Sequence, residues 1–300
     1  MNATTATGTP SHISLPQGVI RYREAGSGPP LLFVHGAFVN GDLWRNVVPP
    51  LAASFRCIVP DLPLGAHRQP LPPGADLSLP GLAQIVADFS AALDLRNITL
   101  IGNDTGGAIC QLVVARHPGL LSGLVLTNCD AFANMPPPLV KPLTVGARLP
   151  GFGWLLGQSL RSRLVQRALV ATVAHRFPEP AVAQSYFAPV VADPGVRRDL
   201  VALLRAVSSR DTLDAARAFP SFTKPVLIVW APEDKLLFPL RDAERLRDAF
   251  PQARLELVTG SRALIPEDQP ERLAALIDAF LRSPGVVAAS PGRGSGHASP

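Results

Sequence analysis

The sequence predicts an α/β fold: a mostly parallel sheet flanked by helices, with a helical cap inserted late in the chain. Three observations carry this. Short apolar runs alternate with helical stripes from Leu31 to Asn128 and again from Pro225 to Leu281, the pattern of a doubly wound parallel sheet. The alternation breaks at Met135-Pro136-Pro137-Pro138, and from there to about Phe222 only helical patterns occur. Finally, the apolar run Ile98 to Ile101 enters Gly102-Asn103-Asp104-Thr105-Gly106-Gly107 and continues as a helical pattern from Ala108 to His117. A strand that turns so sharply into a helix needs small residues on both sides, because side chains there would collide with neighbouring backbone.

Taken in order, His12–Leu15 and Gly18–Glu24 read as two strands around a Pro-Gln-Gly turn. Leu31 to Val34 is a continuous apolar run, as a strand covered on both faces requires. His35-Gly36-Ala37-Phe38 follows it directly. Leu43–Ala53 is helical in pattern, and Phe55–Pro60 is a strand ending at Asp61. Leu82, Ile85, Val86, Phe89, Ala92 and Leu93 form the stripe of a helix over Leu82–Leu95. After Ile98–Ile101 and its helix, Leu121–Asn128 is the next strand. The cap reads as helices Leu155–Val173, Glu179–Val191, Val196–Val207 and Thr212–Phe219. A strand (Pro225–Trp230), helix (Arg241–Phe250), strand (Arg254–Val258) and helix (Arg272–Leu281) complete the core. The domain reading is therefore core 1–134, helical cap 135–222, core 223–282 and a Ser/Gly/Pro/Ala-rich disordered tail 283–300.

Composition excludes several classes. The chain has 300 residues, 47% apolar and 17% charged, enough for a sizeable core. No apolar stretch is long enough to span a membrane, and Met1–Pro10 lacks the apolar core of a secretory signal, so the expected location is the cytoplasm. The net charge is +5, carried by 25 Arg and 3 Lys that are dispersed and not interleaved with aromatics, which argues against nucleic-acid binding. Cys57, Cys110 and Cys129 are an odd number without short spacing, so neither a disulfide framework nor a zinc site is expected. Cys129, at a strand end near the presumed site, reads as a buried structural thiol or a reactive one. Nothing indicates a metal or organic cofactor, and the expected partner is a small-molecule substrate. The oligomeric state is open.

Asp104 sits at the apex of the strand-to-helix turn, at a helix N-terminus that favours negative charge. A carboxylate there can attack an sp3 carbon bearing a halide or an epoxide oxygen and form an ester. The alternative is an Asp that merely caps the helix. His35-Gly36 after a strand, Gly102-x-Asp104-x-Gly106-Gly107 and the segment Pro225–Pro239 together resemble the α/β-hydrolase family over about residues 13–282. They are most similar to its Asp-nucleophile branch, the haloalkane dehalogenases and epoxide hydrolases. The resemblance implies the α/β-hydrolase fold, a nucleophile elbow at Asp104, and an oxyanion hole from the backbone N–H groups of Ala37 and Thr105. Haloalkane dehalogenases hold halide with an Asn and a Trp at the Ala37 and Thr105 positions, so halide stabilisation of that type is not expected.

The same resemblance leaves two candidates for the acid: Asp234, after the strand Pro225–Trp230, and Asp130, after the strand Leu121–Asn128. It places the catalytic histidine in a pattern like Gly-His-Phe-x-Pro-Glu, which here falls on Gly260 to Glu267, with Ala263 at the histidine position. His67 and His175 are the remaining histidines that could reach the pocket. Without imidazole, alkylation of Asp104 remains possible, but hydrolysis of the ester lacks the base that deprotonates water. Asp104 and Asp234 would then face each other, and one carboxyl would titrate high, unless Arg262 neutralises them. Tyr186, the cap's one tyrosine, is a candidate proton donor to an epoxide oxygen or a packing residue. The cap arginines 161, 163, 167, 176, 197, 198 and 205 either steer an anionic substrate or solvate helix faces. Two functions are expected to compete: a hydrolase-type catalyst that is slow or non-hydrolytic, including a lyase or cyclase with Asp104 as base, and a ligand-binding pseudoenzyme.

Overall fold

The computed structural model describes residues 8–284. The predicted tail falls outside the described residues from 285 onward. The sheet contains Thr9–Leu15 (β1), Gly18–Ala25 (β2), Pro30–Val34 (β3), Arg56–Pro60 (β4), Ile98–Asp104 (β5), Leu121–Cys129 (β6), Val226–Trp230 (β7) and Ala253–Leu257 (β8). Their spatial order is β1-β2-β4-β3-β5-β6-β7-β8. β1 and β2 form a hairpin that pairs antiparallel with β4, and every later pairing is parallel. β6 and β7 are wholly buried, whereas the edge strands β1 and β8 and the hairpin strand β2 are largely half-buried or exposed. That is why the central strands are unbroken apolar runs while Arg254 and Glu256 alternate on the edge strand β8.

Helices cover both faces: Val48–Leu51 (α1), Leu79–Ala92 (α2) and Thr105–Arg116 (α3) before the insertion, and Leu240–Ala249 (α10), Ile265–Asp268 (α11) and Pro270–Leu281 (α12) after it. Between β6 and β7 the chain makes the insertion: Lys141–Gly146 (α4), Phe152–Ser159 (α5), Arg163–Val173 (α6), Pro180–Ala192 (α7), Pro194–Ala206 (α8) and Ser209–Ala216 (α9). α3 is buried from Thr105 to Val114, all around rather than on one stripe, because it packs on β5, β6, α2 and α9 together.

Several expected boundaries move for local reasons. Leu43–Ala53 is a 3₁₀ turn (Gly41–Trp44) followed by the one-turn α1. Pro49 and Pro50 lack the N–H groups a continuous helix would need. The expected helix Leu155–Val173 is two helices, α5 and α6, separated at Leu160–Ser162. α8 and α12 start earlier than expected, on Pro194 and Pro270. Proline suits the first helical turn, where its missing N–H is not needed. The strand before the turn extends past Ile101, because Asn103 still pairs with Thr127 and Asp104 with Cys129. α4 and α11 have no counterpart in the sequence reading.

The insertion is stitched to the loop after β8. The Asp268 carboxylate accepts the backbone N–H groups of His175 and Arg176 from the end of α6, together with Arg262 N–H. Leu264 N–H donates to Val173 O at 2.8 Å. These bonds fix the insertion over the carboxyl ends of β3, β5 and β6.

Candidate active site

Asp104 ends β5 with φ 55° and ψ −132°, a conformation that costs a non-glycine residue about 1–3 kcal/mol. The neighbouring glycines make this turn possible. A Cβ on Gly106 would overlap the carbonyl oxygens of Val34 and His35, and one on Gly36 would overlap the Asp104 carboxyl itself. Gly36 thus lets the loop after β3 close onto Asp104. There Ala37 N–H donates to Asp104 Oδ2 at 3.0 Å, and the backbone N–H of Thr105 supports the same carboxylate. The two N–H groups expected to form an oxyanion hole are thus both directed at Asp104. His35 supports the loop from beneath. It is fully buried, its Nε2 accepts Leu62 N–H at 2.8 Å, and burial pulls its pKa down to about 4, so it is neutral.

Asp104 faces a cavity of about 350 Å³ whose wall is mostly apolar side chains from the core loops and the insertion. Burial pushes its pKa up to about 7, against the two N–H groups, and the nearby Asp234 charge adds to the rise. Asp130 lines the same cavity, is 1% exposed, and holds its Oδ1 without a hydrogen-bond partner. Burial first, then the Asp104 charge, keeps its proton well above the usual carboxylate range, with the Thr105 hydroxyl opposing. Asp234 is held differently. Its Oδ1 accepts Leu236 N–H at 3.2 Å and Leu237 N–H at 3.0 Å, while its buried Oδ2 has no partner. Of the two acid candidates, Asp130 shares the cavity wall with Asp104 and Asp234 does not.

Ala263 is fully buried, and its carbonyl accepts Asn103 Nδ2 at 2.8 Å. Asn103 also donates to Thr127 Oγ1, so the residue before Asp104 anchors the loop that carries Ala263. Neither remaining histidine fills in. His67 is buried with Nε2 3.1 Å from Asp199, and His175 pairs with Glu233 on the surface. Arg262 does not meet the carboxylates, because its Nη1 donates to the Ala171 carbonyl. Three of the insertion's arginines likewise tie down carbonyls: Arg197 those of Val190 and Val191, Arg198 that of Leu71, Arg205 that of Ala147. Among the described residues no arginine lines the cavity. Cys129 packs beneath Gly107, and burial raises its thiol pKa well above the ordinary value, so it is structural.

Tyr186 does line the cavity, but its hydroxyl donates to Glu267 Oε1 at 2.6 Å. Glu267 in turn takes both terminal nitrogens of Arg45 at 2.7 Å each. This buried Arg45–Glu267–Tyr186 network was not visible in the sequence. Glu267 stood out only as a marker of register, and Arg45 only as a charge within a helical stripe.

The family model described as alpha/beta hydrolase fold matches residues 29–179. Haloalkane dehalogenase 2 of Mycobacterium tuberculosis is 29% identical over 270 residues, covering 87% of this chain and 91% of that protein. The cis-3-alkyl-4-alkyloxetan-2-one decarboxylase of Shewanella oneidensis is 26% identical over 293 residues, covering 90% of this chain and 87% of that one. Among solved structures, haloalkane dehalogenase DbeA from Bradyrhizobium elkani superposes with a TM-score of 0.79 at 22% identity, over 94% of this chain and 99% of that one.

Proposed function

This chain belongs to the alpha/beta hydrolase fold family, and on that premise we propose that it is an enzyme acting on a small apolar organic electrophile with Asp104 as nucleophile. The observation that carries this is the seating of Asp104. Its strained backbone presents the carboxylate to a mostly apolar cavity, while Ala37 N–H holds one oxygen at 3.0 Å. The second oxygen is thereby left to attack an epoxide-, halide- or ester-like carbon, giving an Asp104 ester. Hydrolysis of that ester is slow, because no imidazole stands at the site to deprotonate water. Family resemblance, the cavity and the elbow all support this reading.

The test is intact-mass analysis after incubation with small epoxides and alkyl halides, with peptide mapping. The expected result is a long-lived adduct on Asp104 that Asp104→Asn abolishes. A broad panel yielding no adduct would sink the proposal and favour a binding protein.

A second reading, a non-hydrolytic lyase, is favoured by the same lack of a base. The S. oneidensis relative is named for decarboxylating an oxetan-2-one. Loss of carbon dioxide from such a ring leaves an alkene and consumes no water, so it does not need the missing histidine. Carbon dioxide release from a dialkyl oxetan-2-one, lost in Asp104→Asn, would select this reading.

A further inference from the structure

Building on Asp104 as the nucleophile, we infer that Asp130 is the proton donor of the site and that the substrate's leaving group is therefore an oxygen, as in an epoxide, rather than a halide. The strand register sets Cys129 of β6 against Asp104 of β5, so Asp130 stands at the adjacent strand end and both carboxyls line one cavity. The two are unequal. Asp104 is served by the backbone N–H groups of Ala37 and Thr105, which favour its charged form. Asp130 has the Thr105 hydroxyl and its own backbone N–H, but its Oδ1 is buried with no partner at all. The charged groups that bear on Asp130 are Asp104 and Asp242, both acidic, and its buried neighbour Cys129 is a neutral thiol. Two carboxyls at one site share a proton, and the one with an unpartnered buried oxygen keeps it. Burial and these charges favour the protonated form of Asp130. The other hydroxyls on the cavity wall are already committed: Tyr186 to Glu267, Thr172 to the Leu169 carbonyl, and Thr105 to Asp130 itself.

The step balances without any further reactant. An Asp104 oxygen forms a bond to a ring carbon, the carbon–oxygen bond of the epoxide breaks, and its electron pair goes to the ring oxygen. The Asp130 proton moves to that oxygen. The product is a hydroxyalkyl ester on Asp104 and a carboxylate at Asp130. With an alkyl bromide, bromide leaves unprotonated and Asp130 has no part.

The experiment compares alkylation by hexene oxide and hexyl bromide, followed by intact mass and mapping to Asp104. In Asp130→Asn the epoxide-to-bromide rate ratio is expected to fall about 100-fold or more, the usual contribution of a general acid. An unchanged ratio overturns the inference, including the case in which both rates fall together. The wild type supplies a second measure that does not depend on the variant folding. Epoxide alkylation should rise through about pH 7 as Asp104 ionises and fall again at higher pH as Asp130 loses its proton. Bromide alkylation should rise and stay high. Coincident profiles overturn the inference. Failure of both electrophiles to label wild-type Asp104 is the distinct result that overturns the nucleophile itself, and this inference with it.

Discussion

Replacing Asp104 by Asn should make the protein more stable, and increasingly so as the pH rises. In the folded protein the Asp104 carboxyl titrates at about 7 against an ordinary value of 3.8, chiefly because it is buried. A raised folded-state pKa means the unfolded chain gives up its proton first. Stability is therefore full below about pH 4, falls as pH rises from there to about 7, and stays lowered above it. About three pKa units correspond to about 4 kcal/mol. Part of Asp104 is open to the cavity, and water reaching that edge reduces the penalty to roughly 2–4 kcal/mol. Asn carries no charge to desolvate, and its side-chain carbonyl can still accept the Ala37 N–H that now bonds Oδ2. Urea unfolding of wild type and Asp104→Asn, measured side by side from pH 5 to pH 8, isolates the effect of Asp104 and the carboxyls coupled to it, since the titrations of distant groups cancel in the difference. The gap in favour of the variant should widen by roughly 2 kcal/mol over that range. A gap that is constant with pH, or that widens toward acid, would refute burial as the origin of the shift.

Other consequences are as direct. Gly106→Ala should destabilise by about 3 kcal/mol or more, because the new Cβ meets backbone oxygens of β3 and His35 that have nowhere to retreat. Gly119→Ala, with open space around it, should stay within about 0.5 kcal/mol in the same denaturation assay. Glu267→Ala strands the buried Arg45 guanidinium and frees the Tyr186 hydroxyl, and should cost about 3–5 kcal/mol in thermal or urea unfolding. Ala263→His should restore a base beside the unpartnered Asp234 Oδ2 and shorten the life of an Asp104 ester by about 100-fold or more, followed by mass spectrometry over time. An adduct as durable as the wild type's would mean that the loop after β8 no longer aims this position at the ester.

Much of this molecule was legible in the chain because its determinants are local. Buried parallel strands must be largely apolar, so Leu31–Val34, the Leu124–Leu126 centre of Leu121–Asn128, and Val226–Trp230 announce themselves. The turn at Asp104 needs glycine on either side, and the spacing Gly102-x-Asp104-x-Gly106-Gly107 records that need. Helix ends were less legible where proline replaced an apolar residue in the first turn, as at Pro194 and Pro270.

The composition of the site was a different matter. In sequence Asp234 stands at the usual acid position of the resembled family and Asp130 is the alternative, each an acid after a buried strand. Only tertiary structure puts Asp130 on the cavity wall beside Asp104, gives Asp234 two backbone donors, and leaves one oxygen of each without a partner. Tyr186 read as either a cap proton donor or a packing residue until the fold brought Glu267, 81 residues away, to its hydroxyl, and Arg45, 222 residues from Glu267, to the same carboxylate. Backbone turns and strand burial depend on neighbours in the chain, so sequence alone determined the fold and the place of the sharp turn at Asp104. Where a proton resides depends on which donors and charges crowd a carboxyl in space, and that only the packing of distant segments decided.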